Sequence, residues 1–193
     1  MSSQRTRDDT EPSTREALLD AALDQLERKG VLAGLNLREV ASDVGVTPAN
    51  IYHYFGSRQG LLRAALSREM ERLEAPLAAV AGASFVERRV RMFDAITSTP
   101  TLALTALLAL DGDPDYEPMP FLTATRAHYA ALVERGDVPA DLDIDAAHLL
   151  GLATSIGCAI YGAAAARQLG TTVEALNGRV RLVFERLLEG LVQ

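Results

Sequence analysis

In the stretch Thr47-Pro-Ala-Asn-Ile-Tyr-His-Tyr-Phe-Gly-Ser-Arg, side chains able to exchange hydrogen bonds crowd together: Thr47, Asn50, Tyr52, His53, Tyr54 and Arg58. Asn can pair with an adenine edge, His can donate or accept, Ala and Pro can touch a thymine methyl, and Arg suits a phosphate. This is recognition chemistry. The catalytic signals are thin. Asp145 and His148 stand three apart and could share a metal, but no second cluster accompanies them, and a capping Asp beside an interfacial His accounts for both. Cys158 lies in an apolar stretch with no basic neighbour, as an inert packed thiol does. No glycine-rich phosphate loop or Gly-x-Ser-x-Gly elbow is present. The sequence therefore points away from an enzyme and requires neither a cofactor nor a metal.

The elements that must position these groups can be read from periodicity. At about 100° per residue, a helix opening at Pro48 turns Ile51 and Phe55 inward. Ala49 and His53 then lie roughly opposite, with Asn50 and Tyr52 on the flanks. A merely solvated face would more often carry Lys and Glu. Upstream, Asn36 caps a helix, Glu39 occupies the acid position of a capping box, and Leu37, Val40, Ala41 and Val44 share one face. Gly45 ends that helix in a left-handed turn, Val46 plugs the angle, and Thr47-Pro48 supplies an N-cap and a first-turn proline. Arg58, after Ser57, opposes the dipole of the next helix, so a DNA phosphate is a better reason for it than helix stability. Arg38 reaches groove or backbone by the same logic. Two helices joined by a glycine turn, the second with an outward polar and aromatic face, make a helix-turn-helix.

From the helix at residues 14–29, through Leu37 to Phe55, to Ser57-Arg58 and Leu61-Leu62, the chain resembles the DNA-binding domain of the TetR-like family of bacterial one-component transcription regulators. The resemblance implies base-edge contacts from Arg38, Pro48, Ala49, Asn50 and His53, and phosphate contacts from Asn36, Thr47, Tyr52, Tyr54 and Arg58. Family members place Lys at position 58 and an acid near position 60, where this chain has Arg58 and Gly60. Arg keeps the phosphate contact, whereas Gly in a first turn costs about 1 kcal/mol against Ala. The implied fold is all-α: a flexible arm at 1–12, a three-helix DNA-binding domain at 13–56, a linking helix at 57–79, and a larger ligand-binding and dimerisation domain at 80–193. The implied partners are a double-stranded, pseudo-palindromic operator, a second copy of the chain and a small molecule. The family pairs through a four-helix bundle of its last two long helices, and Gly136 to His148 resembles the approach to that bundle.

Composition bounds the reading. The chain has 193 residues, 48% of them hydrophobic, with no Trp and no strand-like β-branched run, so an all-helical protein with a proper core is expected. One cysteine excludes an internal disulfide framework and fits a reducing cytoplasm. The polar N-terminus lacks an apolar signal core, which argues against export. Arg5 and Arg7 could enter a minor groove, but Asp8, Asp9 and Glu11 oppose it. The net charge of −7 weighs against nucleic acid, and residues 1–60 hold seven Arg or Lys against nine Asp or Glu. Local placement offsets this: no acid occurs between Asp43 and Glu69, while Arg58, Arg63 and Arg68 do.

Ser13 with Glu16 boxes a first helix bearing Leu18, Ala22 and Leu26 and stopped by Gly30. The linking helix runs from Ser57 to about Ala75, where Pro76 disturbs it, with Leu62, Leu66, Met70 and Leu73 as its stripe. Ser84 caps a helix to about Ser98, Pro100 opens another through Leu110, and 111–120 is an acidic, proline-rich loop. A helix from about Pro120 to Arg135 follows, then one capped by Asp145, then one boxed by Thr171 and Glu174. Residues 146–166 carry no charge and are formally long enough to cross a bilayer, but their Gly, Ala, Ser, Thr and His content suits close packing instead, and no membrane partner is expected. Family analogy adds an apolar ligand cavity lined by Met92, Phe93, Ile96, Leu107, Phe121, His128, Tyr129, Cys158 and Tyr161. Of these, Tyr161 and His128 are the best candidates, since a phenol or imidazole inside a bundle must find a partner. The reading is a ligand-responsive repressor. The alternatives are a protein-interaction or ligand-carrier bundle that no longer binds DNA, and a helical enzyme using His128 or His148.

Overall fold

The computed structural model describes residues 13–29, 34–78, 82–97, 99 and 101–192. The N-terminal arm, the Gly30 stop, Ser98 and Pro100 lie outside the described residues. Among the described residues there are nine helices: α1 Thr14–Lys29, α2 Leu37–Asp43, α3 Pro48–Phe55, α4 Arg58–Ala78, α5 Phe85–Thr97, α6 Thr101–Leu110, α7 Leu122–Glu134, α8 Ile144–Gln168 and α9 Val173–Leu191.

Local chemistry explains most of their ends. Ser13 Oγ accepts the amide of Glu16 at 3.3 Å, and Ser84 Oγ that of Glu87 at 3.2 Å. Asn36 Oδ1 accepts the amides of Arg38 and Glu39, and its own amide donates to Gln25 Oε1 at 2.6 Å. Gln25 is fully buried and also donates to Glu39, so one amide side chain fixes α1 to the start of α2. Gly45 adopts φ 73°, the left-handed turn that costs Gly nothing. Two caps differ from the expected ones. The N-cap of α8 is Asp143, which accepts the amide of Ala146 at 2.9 Å, because Asp145 turns outward to an ion pair with Arg126. The N-cap of α9 is Thr172, not Thr171, and takes the amide of Ala175 at 3.1 Å. α4 also continues past Pro76 to Ala78, and α7 begins at Leu122 after a left-handed Phe121 at φ 61°.

The first core cluster crosses the expected domain boundary. Leu18, Leu19, Leu26, Val40, Ala41 and Ile51 bury against Leu61, Leu62 and Ala65 of α4, and Leu104, Leu107 and Leu108 of α6 join the same cluster. A second core joins Phe85, Val90 and Phe93 of α5 to Leu132, Ala147, Phe184 and Leu188 of α7, α8 and α9. By length and composition α8 could cross a membrane; here it packs against α5, α6, α7 and α9.

Candidate nucleic-acid interface and ligand pocket

α3 is held by one deep anchor. Ile51 is 0% exposed, Phe55 is half-buried beneath the Arg15 guanidinium at 5.4 Å, and the rest of the helix looks out. Ala49, His53, Tyr54 and Thr47 are exposed, Tyr52 is 55% exposed, and Pro48 and Asn50 are half-buried. The Thr47 hydroxyl donates to Asn50 Oδ1 at 3.0 Å, which presents the Asn50 amide group in a defined orientation. His53 meets Tyr54 edge-on at 5.0 Å, so the two rings stiffen each other on the exposed side of α3. Arg38 is exposed on α2, and Asn36 already spends its side-chain oxygen on the α2 cap.

Arg58 has a different neighbourhood from the one its sequence position implies. Its guanidinium pairs with Asp111, at the end of α6, and its side chain is only 28% exposed. Arg63 pairs with Asp113 at 2.5 Å, whose side chain is 2% exposed, and with Asp115 at 3.3 Å. Arg68 pairs with Glu16 and Asp20 of α1. The strip free of local carboxylates is therefore neutralised by acids far off in sequence. Gly60 also has a reason beyond composition: a Cβ there would sit 1.9 Å from the Phe55 carbonyl oxygen, so the tight α3–α4 corner excludes a side chain.

A pocket lies between α5, α7, α8 and α9. Met92, Phe93, Ile96 and His128 line it, together with Phe85, Arg88, Arg89, Thr125, His148 and Ser155. Its free space, counted out to the open mouth, is about 530 Å³. It is a slot framed largely by apolar side chains of the four helices. Of the other residues expected in a cavity, Leu107 belongs to the first core cluster and Phe121 packs beside Ile96 and Leu102. Tyr129 donates its hydroxyl to the Pro139 carbonyl, and Cys158, whose thiol is pushed up by burial, packs at the second core. Tyr161 is 69% exposed on α8, so its phenol is not enclosed by its own chain.

Arg89 and His148 form the polar wall, which periodicity could have flagged: Arg89 stands four residues from both Phe85 and Phe93, on the buried stripe of α5. The Arg89 guanidinium lies 5.2 Å over the Phe85 ring, and its Nη2 is buried with no hydrogen-bond partner. Burial first, and the neighbouring Arg88 second, lower its pKa to about 10. His148 Nε2 donates to the Pro120 carbonyl at 2.9 Å, which leaves the Nδ1 lone pair facing Arg89 Nη1 and the Thr125 hydroxyl, each at 3.4 Å. Burial, then Arg89, holds the imidazole pKa below its ordinary value, so the ring is neutral near pH 7.

An all-helical protein that presents a helix-turn-helix at one end and a slot in a separate helical core at the other is the class these features define. Residues 18–65 match the family of bacterial regulatory proteins described as tetR. It is 40% identical over 81 residues to the HTH-type transcriptional regulator BetI of Rhizobium meliloti, a match covering 42% of this chain and 39% of that protein. A BetI of Brucella anthropi is 29% identical over 101 residues, covering 52% of this chain and 45% of the relative. The matches thus span less than half the length of these curated relatives. Among solved structures, a protein of unknown function from Rhodococcus sp. RHA1 is 26% identical with a TM-score of 0.65, covering 97% of this chain and 100% of that one. Salmonella enterica GusR, at 22% identity and a TM-score of 0.63, covers 96% and 99% and shares the fold.

Proposed function

We propose that the chain is a ligand-responsive transcription regulator of the bacterial cytoplasm, a repressor that leaves its operator when a small molecule enters the α5–α9 slot, and not a catalyst. One observation carries the reading: α3 is pinned by Ile51 while Ala49, Tyr52 and His53 are exposed on its outward side. A side-chain set of that kind fits a major groove, with Tyr52, Tyr54 and Thr47 toward phosphates and Asn50 and His53 toward base edges.

Two copies are needed for a pseudo-palindromic site. Exposed Leu149, Leu150, Tyr161, Leu182, Val183 and Leu187 on α8 and α9 supply an apolar face that a second copy would cover. Two-fold pairing sets the reading helices roughly 34 Å apart, one turn of duplex.

The coupling runs through the junction of α6 with α4. Asp111 and Asp113 hold Arg58 and Arg63, and Leu104 and Leu108 sit in the core of the helix-turn-helix, so a shift of α6 moves the reading head. The ligand acts only through its differential affinity for the two arrangements. The ligand-carrier alternative draws on the same neutralised arginines, which leave little free positive charge near α3. Footprinting over the DNA upstream of the chain's own coding sequence separates the two. Protection of two half-sites about one turn apart supports the regulator, and no protection even at low salt supports the carrier.

A further inference from the structure

The α5–α9 slot is cationic within an apolar frame. Its lining includes two arginines and two histidines and no carboxylate. Most other arginines of the fold are matched to acids: Arg15, Arg28, Arg58, Arg63, Arg68, Arg72, Arg91, Arg126, Arg135 and Arg181 all form ion pairs. Among the described residues, Arg88 and Arg89 form none. A guanidinium withdrawn from water without an acid is costly, and the imidazole of His148 and the face of Phe85 compensate it only in part. The unpartnered Nη2 leaves the guanidinium fork with a donor to spare.

The rest of the wall fixes the shape of what would satisfy that fork. Phe93 and Phe184 lie 5.7 Å apart, and with Met92, Ile96 and Leu152 they leave only apolar surface around the polar end. Thr125 and Ser155 add neutral hydroxyls to the lining, although Ser155 already donates to the Gly151 carbonyl at 3.0 Å. A cationic ligand would meet two guanidinium groups, and a wholly apolar one would leave Nη2 unsatisfied.

We propose that the slot binds a small organic acid, with an apolar body against the paired Phe93 and Phe184 rings and a carboxylate on the guanidinium of Arg89, supported by Arg88 and Thr125. This rests on the ligand-sensing reading above and names the chemical class that the sensor takes. A ligand carboxylate supplies the acid that the fold withholds, which is why none is present on the walls.

The test is isothermal titration calorimetry of the full chain with hexanoate, decanoate and 4-phenylbutanoate, each beside the alcohol and the trimethylammonium compound of the same body. At least one acid binds once per chain and about 10- to 100-fold tighter than its neutral and cationic counterparts. Arg89→Gln removes that preference. Arg89→Lys, which keeps the charge but not the fork, retains part of it and keeps the test decisive should the glutamine variant not fold. An alcohol or ammonium compound binding as well as the acid overturns the proposal, as does a preference that survives in Arg89→Gln, or no acid binding at all. The bound acid is then added to the protein on its upstream DNA. Arg89-dependent binding that leaves DNA affinity unchanged upholds the ligand class and sinks the sensor reading. Release of DNA by the alcohol as readily as by the acid upholds the sensor and sinks the class.

Discussion

Arg58, at the first turn of α4, is held by Asp111, which follows the last turn of α6, so the residue whose sequence position marks it for a phosphate is tied to the end of α6. Releasing it should strengthen DNA binding. Asp111→Asn is expected to raise affinity for the upstream site roughly three- to tenfold at low salt and to steepen the salt dependence by about one phosphate contact. Asp141→Asn, on an exposed loop away from this contact, controls for net charge and should change little. Fluorescence anisotropy over a salt series reads both.

The partner pair Arg63 and Asp113 differs because the acid is buried. Asp113→Ala leaves the Arg63 guanidinium without its nearest carboxylate, and since Arg63 is itself about one-third exposed the cost is moderate, about 1–2 kcal/mol. Urea unfolding should show a lower midpoint with an unchanged slope.

Gly60→Ala is expected to destabilise, against helix propensity, which taken alone favours Ala by about 1 kcal/mol. The new Cβ would meet the Phe55 carbonyl oxygen at 1.9 Å, a backbone atom that cannot turn aside. A melting temperature several degrees below wild type is the expected outcome; a rise would show that the α3–α4 corner is looser than described.

His148 gives the pocket a pH dependence whose sign is fixed. Its folded pKa lies below the ordinary 6.5, chiefly through burial and next through Arg89. The stability contributed by the neutral ring is present above that ordinary value and is lost as pH falls through the lower folded value. Arg88 and Arg89 from α5 and His128 from α7 face the same pocket, and Asp145 from α8 opposes the shift. Wild type should therefore lose stability from pH 7 to pH 5 more steeply than His148→Gln does in calorimetric melts.

Much of the helix-turn-helix was legible because its determinants are local. The Asn36 cap, the left-handed Gly45 and the inward Ile51 each depend on neighbours a turn away. The ion pairs of Arg58 and Arg63 span about fifty residues and exist only once α6 docks, so a count of nearby acids missed them. The caps at Asp143 and Thr172 were each misassigned by one or two residues, since adjacent Asp or Thr residues compete and the chain direction at the loop decides between them. The pocket was the least legible. Periodicity marks Met92, Phe93 and Ile96 as inward but does not say which helix they meet, and Tyr161 projects from the outer face of α8.

That outer face carries its own expectation. Leu182→Glu with Leu187→Glu places charges in the apolar patch of α9 and should shift the chain to a monomer in sedimentation velocity, lowering operator affinity by at least about 100-fold through loss of the second half-site.

The most direct measurement is anisotropy of the labelled upstream DNA with wild type, Tyr52→Ala and His53→Ala, all three checked for unchanged melting because both side chains are exposed. Wild type should bind well above random duplex of the same length, Tyr52→Ala should weaken both duplexes alike, and His53→Ala should weaken the upstream site while leaving random duplex unaffected. Equal binding of all three proteins to both duplexes, or none, would contradict α3 as the element that reads DNA.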